Sequence, residues 1–108
     1  MNAFEKLERN GLSVNIAEVQ RICTKYQIIE LSIFGSALRE DFNEDSDIDL
    51  LVSYHASSAI DLIDEFHIQN EFTQVLNRKI DILAIDDLTN PIRRRKILES
   101  REIIYANT

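Results

Sequence analysis

Cysteine, glycine, proline and tryptophan are all scarce in this chain of 108 residues. Cys23 is the only cysteine, there are two glycines and one proline, and tryptophan is absent. A single cysteine excludes a disulfide framework and a cysteine-based zinc site. No apolar run exceeds four residues, and the N-terminus mixes charged with apolar residues where a secretory signal needs a continuous apolar stretch. We therefore expect a cytoplasmic protein that does not contact a membrane.

Positive charge is also in short supply, because 12 lysines and arginines face 19 acids and give a net charge of −7. This balance argues against stable, direct binding to nucleic acid. Most of the excess lies in one segment without a basic residue, which carries Glu40, Asp41, Glu44, Asp45, Asp47 and Asp49. Carboxylates at this density repel one another unless water or a cation lies among them.

The one basic cluster is Arg93 to Lys96. On a helix these four side chains cannot share a face. Two interpretations stay open, a solvated helix surface or contact with nucleotide phosphates or an acidic partner surface.

Length and periodicity predict one small α/β domain over residues 1–108. Alternating apolar residues predict strands over Ile28–Phe34, Asp47–Ser53 and Lys79–Ile85, and residues 102–106 are either a short edge strand or the end of a helix. Helices are expected over residues 2–9, from Ser13 or Asn15 onward, and from Pro91 through Glu99. We expect a short mixed sheet with the helices packed on one side.

A longer helix is expected between the second and third strands. Ser58 is its predicted N-cap, and Asn77 is its predicted left-handed C-cap. Its predicted buried stripe consists of Leu62, Ile63, Phe66, Phe72, Val75 and Leu76.

The most informative phrase is Phe34-Gly35-Ser36, then ten intervening residues, then Asp47-Ile48-Asp49. A glycine directly after a strand lets the backbone approach a phosphate at a helix start, and Ser36 adds a hydroxyl donor. Asp47 and Asp49 are two residues apart on a predicted strand, so both side chains project to one face, about 6 to 7 Å apart. Such a pair can share hard cations.

A third carboxylate is available on the next strand, within Lys79-Ile80-Asp81-Ile82-Leu83. If this strand pairs with the second one, Asp81 converges with the aspartate pair. Mg²⁺ prefers oxygen ligands and shares its coordination shell with substrate phosphates. An EF-hand starting at Asp45 fails, because Leu50 and Ala56 stand where glycine and glutamate are required, and no P-loop string is present.

With these motifs the chain resembles the minimal nucleotidyltransferases of the DNA polymerase beta superfamily, specifically the antitoxins of HEPN/MNT toxin–antitoxin pairs. The resemblance runs from Leu31-Ser32-Ile33-Phe34-Gly35-Ser36 through Asp45-Ser46-Asp47-Ile48-Asp49-Leu50 to Leu76-Asn77-Arg78-Lys79-Ile80-Asp81. It departs from the family at Glu40 and Asn77, where the family often has glycine.

The resemblance implies a polymerase-beta-like nucleotidyltransferase fold and assigns roles to single residues. Gly35 and Ser36 would contact the triphosphate of ATP, and Arg39 a phosphate or a partner. Asp47 and Asp49 would bind two magnesium ions, and Asp81 would bind the catalytic ion and help to deprotonate the acceptor.

The function implied is transfer of AMP from ATP to a tyrosine of a HEPN-domain ribonuclease toxin, which silences the toxin. Two alternatives stay open. One is an antitoxin that neutralises its partner by binding alone, and the other is a nucleotidyltransferase that acts on a small molecule.

Overall fold

A computed structural model describes residues 3–107, which form four helices and four strands. The helices are α1 (Ala3–Arg9), α2 (Ile16–Lys25), α3 (Leu62–Leu76) and α4 (Pro91–Ser100). The strands are β1 (Ile28–Phe34), β2 (Ile48–Tyr54), β3 (Ile80–Ala84) and β4 (Glu102–Ala106), and short 3₁₀ turns follow β1 and β3. Residues 102–106 thus form a strand. Residue 2, where the first helix was expected to begin, lies outside the described residues.

Local signals in the sequence set most of these boundaries. Asn15 caps α2 by accepting a hydrogen bond from the Glu18 N–H, and Asn90 caps α4 in the same way, with Pro91 at its first position. Asn77 ends α3 in the left-handed conformation, at φ 52°. The predicted Ser58 cap is wrong: Asp61 caps α3 in a reciprocal capping box, so the helix begins three residues later.

The four strands form one mixed sheet in the order β3-β2-β1-β4. Strand β1 is antiparallel to both β2 and β4, whereas β2 and β3 are parallel. Parallel pairing is possible because α3 provides the crossover between β2 and β3. The register places Asp49 beside Asp81, and Phe34 of β1 opposite Asp49.

The two faces of the sheet pack against different helices. Helices α1 to α3 share a large apolar core with one face, to which Leu50 of β2, Ile80 of β3 and Phe72 of α3 belong. On the other face, Leu51 of β2 and Ile97 of α4 belong to a smaller core. The expected packing on one side therefore holds for three helices, and α4 covers the second face because alternate strand residues there are also apolar.

The predicted buried stripe of α3 is wrong in its N-terminal half. Leu62, Ile63 and Phe66 are 82%, 67% and 63% exposed, whereas Ile68 and Phe72 are fully buried. The helix therefore has two groups of apolar residues, both spaced at the helical period. Only the group nearer the C-terminus of the helix packs against the sheet.

The single cysteine lies in the large apolar core. Cys23 is fully buried, and burial raises the pKa of its thiol to about 12, so it fills the core as an unreactive residue.

Between residues 3 and 107, no helix has the length and apolar character needed to cross a lipid bilayer.

Candidate active site

Gly35 holds the turn between β1 and the acidic segment in a conformation that other residues rarely adopt, at φ +73°. A Cβ atom at this position would lie 2.5 Å from Asp49 Oδ2, well inside contact distance. Both the backbone angle and the space therefore require glycine, and the Asp49 carboxylate lies directly against the turn.

The three predicted carboxylates lie on neighbouring strands at one end of the sheet. Asp47 directly precedes β2, Asp49 is its second residue, and Asp81 is the second residue of β3 and the register partner of Asp49. Asp49 and Asp81 alternate with residues of the large core, so they project from the opposite face, which α4 covers in part. The structure thus brings the acids together through the β2–β3 pairing on which the predicted convergence depends.

The electrostatics of this cluster centre on Asp49, which is half-buried. Burial raises the pKa of its carboxyl group, and the negative charges of Asp81 and Asp47 raise it further. Arg39 and Arg93 lower that pKa, but within residues 3–107 neither forms an ion pair with any of the three carboxylates. Negative charge is therefore concentrated here without a bonded cation.

The donor set fits a divalent metal ion. In this part of the chain, residues 3–107, no three His, Cys, Asp or Glu side chains are already close enough together to hold an ion. Parallel neighbours such as Asp49 and Asp81 are only about 4.8 Å apart between backbones, so side-chain rotation suffices to bring both carboxylates to one cation. Uncompensated carboxylate oxygens are the ligands that Mg²⁺ prefers.

Ser36 connects the glycine turn to the acidic strand. Its hydroxyl donates a hydrogen bond to the backbone carbonyl of Asp47 at 3.2 Å. A serine hydroxyl has one proton to donate, so this contact positions Asp47, and the hydroxyl must leave it before it can donate to a phosphate.

The residues of the basic cluster, Arg93 to Lys96, make different contacts. Arg94 is half-buried and donates to the Ile85 carbonyl at 2.9 Å, and Arg95 pairs with Glu99 on the helix surface. Arg93 is the member whose charge acts on Asp49. The cluster is therefore neither a uniform solvated face nor a uniform binding patch.

Sequence reasoning gave no role to Arg78, which fixes the acidic loop. Its Nη2 donates to the carbonyls of Asn43 at 2.7 Å and Ser46 at 2.6 Å, and its guanidinium lies 4.4 Å from the centre of the Phe42 ring. Arg78 falls inside the motif that ends in Asp81. Its position close to the third carboxylate in the sequence could have indicated that it acts at the site.

Lys6 is a second residue that the sequence did not single out. Together with Arg39 it lines a cavity of about 300 Å³ beside Gly35, which Leu38 and Ser100 complete. Its amine also pairs with the Glu102 carboxylate. Both cations are already paired, Lys6 with Glu102 and Arg39 with Asp41, so each would have to exchange a carboxylate for a phosphate oxygen to bind a triphosphate there.

The two departures from the family pattern have different structural meanings. Asn77 adopts positive φ, a conformation that asparagine tolerates better than most residues, so the turn before β3 keeps its shape. Glu40 is exposed and is not among the described residues with positive φ, so its turn does not require glycine.

Comparison with known proteins agrees with this geometry. Residues 17–108 match the family described as polymerase beta, nucleotidyltransferase. A candidate protein adenylyltransferase of Methanocaldococcus jannaschii is 33% identical over 81 residues, covering 75% of this chain and 79% of the relative. The protein adenylyltransferase MntA of Thermococcus cleftensis is 24% identical over 106 residues, covering 98% of each chain.

Solved structures show the same fold. A candidate minimal nucleotidyltransferase superposes with a TM-score of 0.67 at 26% identity, covering 94% of each chain. An MNT antitoxin from Shewanella oneidensis, solved in complex with its tri-AMPylated HEPN toxin, superposes with a TM-score of 0.61 at 13% identity. That match covers 94% of this chain and 73% of the other.

Proposed function

The chain belongs to the polymerase beta nucleotidyltransferase family, and from that premise we propose that it transfers AMP from ATP to a tyrosine of a HEPN-domain ribonuclease. The observation that carries this proposal is the pairing of Asp49 with Asp81, next to a glycine turn where a Cβ atom would lie 2.5 Å from the Asp49 carboxylate. Relatives named as protein adenylyltransferases support a protein acceptor.

Each carboxylate has a role in the proposed reaction. Asp47 and Asp49 would hold two magnesium ions, and Asp81 would share one of them. Bound magnesium supplies charge neutralisation at the phosphates and acidifies the acceptor hydroxyl. The Asp81 carboxylate takes the tyrosine proton, the phenolic oxygen bonds to the α-phosphorus of ATP, and the bond from that phosphorus to pyrophosphate breaks.

Basic residues around the carboxylates would orient the nucleotide. Arg39 and Lys6 line the cavity beside Gly35, and the charge of Arg93 on α4 lowers the pKa of Asp49. Their positive charges would hold the triphosphate oxygens, and the N–H groups of the turn at Gly35 and Ser36 would add hydrogen bonds.

A protein acceptor suits a chain of this size. Residues 3–107 form one α/β core with its site, and a partner protein would bring the acceptor hydroxyl on its own structure. An MNT antitoxin of this fold was solved with an AMPylated HEPN toxin, and we extend that pairing to this chain. We place the reaction in the cytoplasm, where ATP and magnesium are available.

Labelled ATP tests the proposal directly. Incubation of the purified chain with its cognate ribonuclease and magnesium should move label from the α-phosphate, and none from the γ-phosphate, onto a tyrosine of the ribonuclease. Pyrophosphate should appear in equal amount. Label transferred from the γ-phosphate, or onto a small molecule in preference to the ribonuclease, would contradict the proposal.

A further inference from the structure

The outer surface of α3 carries an apolar patch, consisting of Leu62, Ile63 and Phe66. The three side chains are 82%, 67% and 63% exposed. They lie within the first two turns of the helix, where Ile63 is opposite the buried Phe72, while Leu62 is only about 80° around the helix axis from Phe72 and is exposed at the N-terminal end. Solvent-exposed apolar side chains grouped in this way indicate an interaction surface.

The charge around the patch narrows the choice of partner. Asp61 caps the helix directly before the patch, and Asp64 and Glu65 lie among the patch residues in the first turn. Helix α3 contains no lysine or arginine. A second copy of this chain would therefore bring acids against acids, whereas a partner with lysines or arginines around an apolar cleft would complement the surface.

The patch is separate from the candidate active site. Helix α3 packs on the sheet face that carries the large core, whereas Asp49 and Asp81 project from the opposite face. Along the sheet, α3 begins after the C-terminal end of β2, and the carboxylates lie at the N-terminal ends of β2 and β3. A protein bound at the patch therefore leaves the carboxylates open, and its tyrosine reaches them only if the partner also extends around the edge of the sheet.

We propose that the patch of Leu62, Ile63 and Phe66 is a docking surface for the ribonuclease partner, which presents to it an apolar cleft bordered by basic residues. This inference rests on the proposed function. A ribonuclease binds a polyanion and so carries lysines and arginines on its surface, which the acids of α3 can meet. Docking at the patch holds the partner by a contact that does not depend on AMP transfer.

Calorimetric titration with the purified ribonuclease, in the absence of ATP, tests the surface. The double variant Leu62→Ser, Phe66→Ser should raise the dissociation constant about thirtyfold or more. Exposed apolar anchors of this kind carry much of the binding energy of an interface. The matched control is Ile16→Ser, which alters a 46% exposed isoleucine on α2 and should stay within about twofold of wild type.

Two further measurements test whether weaker binding comes from the patch itself. Mg-ATP affinity of the double variant should equal that of wild type, which shows that the fold and the active site are intact. Affinity of wild type for the ribonuclease should fall as salt is raised, because the acids around the patch are exposed and screened. If the double variant loses its fold, Ile63→Ser alone replaces it, with the same expectation of weaker binding.

The outcomes separate this inference from the proposed function. Docking is overturned if the double variant binds the ribonuclease as tightly as wild type, or if light scattering shows that the patch mediates a dimer of this chain. Weaker binding by the patch variants supports docking even where wild type transfers no AMP, and that result overturns the proposed catalysis alone. If wild type does not bind the ribonuclease, both are overturned.

Discussion

At the scale of single residues, the site depends on the contact between Gly35 and Asp49. The glycine has no side chain to displace the carboxylate, and the carboxylate occupies the space where a Cβ atom would lie. Charge on Asp49 is costly in this half-buried position next to Asp47 and Asp81, as the raised pKa of its carboxyl group indicates. A bound cation would remove that cost.

Gly35→Ala should therefore abolish magnesium-dependent ATP binding, because the new methyl group must push Asp49 out of place. Stability should fall by about 1–2 kcal/mol from the positive φ alone. Gly11→Ala is the matched control, since Gly11 has φ +79° and a Cβ atom there would meet no other atom within 4 Å. Calorimetry should show normal Mg-ATP affinity for Gly11→Ala; equal affinity for Gly35→Ala would refute the role of the contact.

Asp81→Asn should impair AMP transfer more than it impairs Mg-ATP binding. Asp81 lies on β3, apart from the other two acids, so Asp47, Asp49 and the glycine turn still hold the nucleotide. Transfer of AMP should fall by about 10²-fold or more through loss of the general base, with Mg-ATP affinity largely kept. Asp47→Asn should reduce both. Wild-type transfer by Asp81→Asn would mean that the three-carboxylate site is wrong.

At the scale of elements, the acidic loop between the 3₁₀ turn and β2 is tied to the segment between α3 and β3 by the side chain of Arg78. Arg78 donates to two loop carbonyls and stacks on Phe42, and the backbone of the next residue, Lys79, accepts from the Ile48 N–H at 2.9 Å. The loop leads directly into Asp47, so its conformation sets where that carboxylate lies.

Arg78→Met should keep the length of the side chain and remove its hydrogen bonds to the loop. We expect a loss of about 1–3 kcal/mol in the free energy of unfolding and weaker Mg-ATP binding. Arg78→Lys is the matched control, because it keeps the charge but cannot reproduce the planar guanidinium stacked on Phe42. Chemical denaturation and calorimetry measure both effects. Full Mg-ATP affinity in Arg78→Met would show that the loop does not depend on this residue.

The elements differ in how far the sequence alone predicts them. Strand β1 and helix α4 were predicted almost to the residue, because alternation and Pro91 are local signals. The buried face of α3 was predicted wrongly, since Leu62 and Phe66 repeat at the same period as Ile68 and Phe72 and only the tertiary fold decides which set is covered. The role of Arg78 was missed for the same reason, because its partners are more than thirty residues away in sequence.

At the scale of the whole molecule, the strand order joins the separate motifs into one site. The sequence predicted each carboxylate and the glycine turn, but the β3-β2-β1-β4 order is a tertiary property that no local pattern encodes. The candidate site residues could be named from local pattern, whereas their proximity required the fold. The net charge of −7, concentrated next to the site, then opposes the approach of a bare triphosphate.

Magnesium should therefore be required for ATP binding. Titration of ATP into the wild-type chain should give measurable affinity with magnesium and at least about tenfold weaker affinity in EDTA, because six acids in one segment repel the unscreened nucleotide. Equal affinity in both conditions would contradict this account of the acidic segment.

The intact mass of the ribonuclease after co-expression tests the central claim most directly. One culture contains the wild-type chain, and a second contains the Asp47→Asn, Asp49→Asn double variant, which keeps the docking patch on α3. The account predicts an added adenylyl mass and lost ribonuclease activity with wild type only. A ribonuclease that stays unmodified in both cultures, while cells are protected equally well, would contradict enzymatic neutralisation and leave binding as the mechanism.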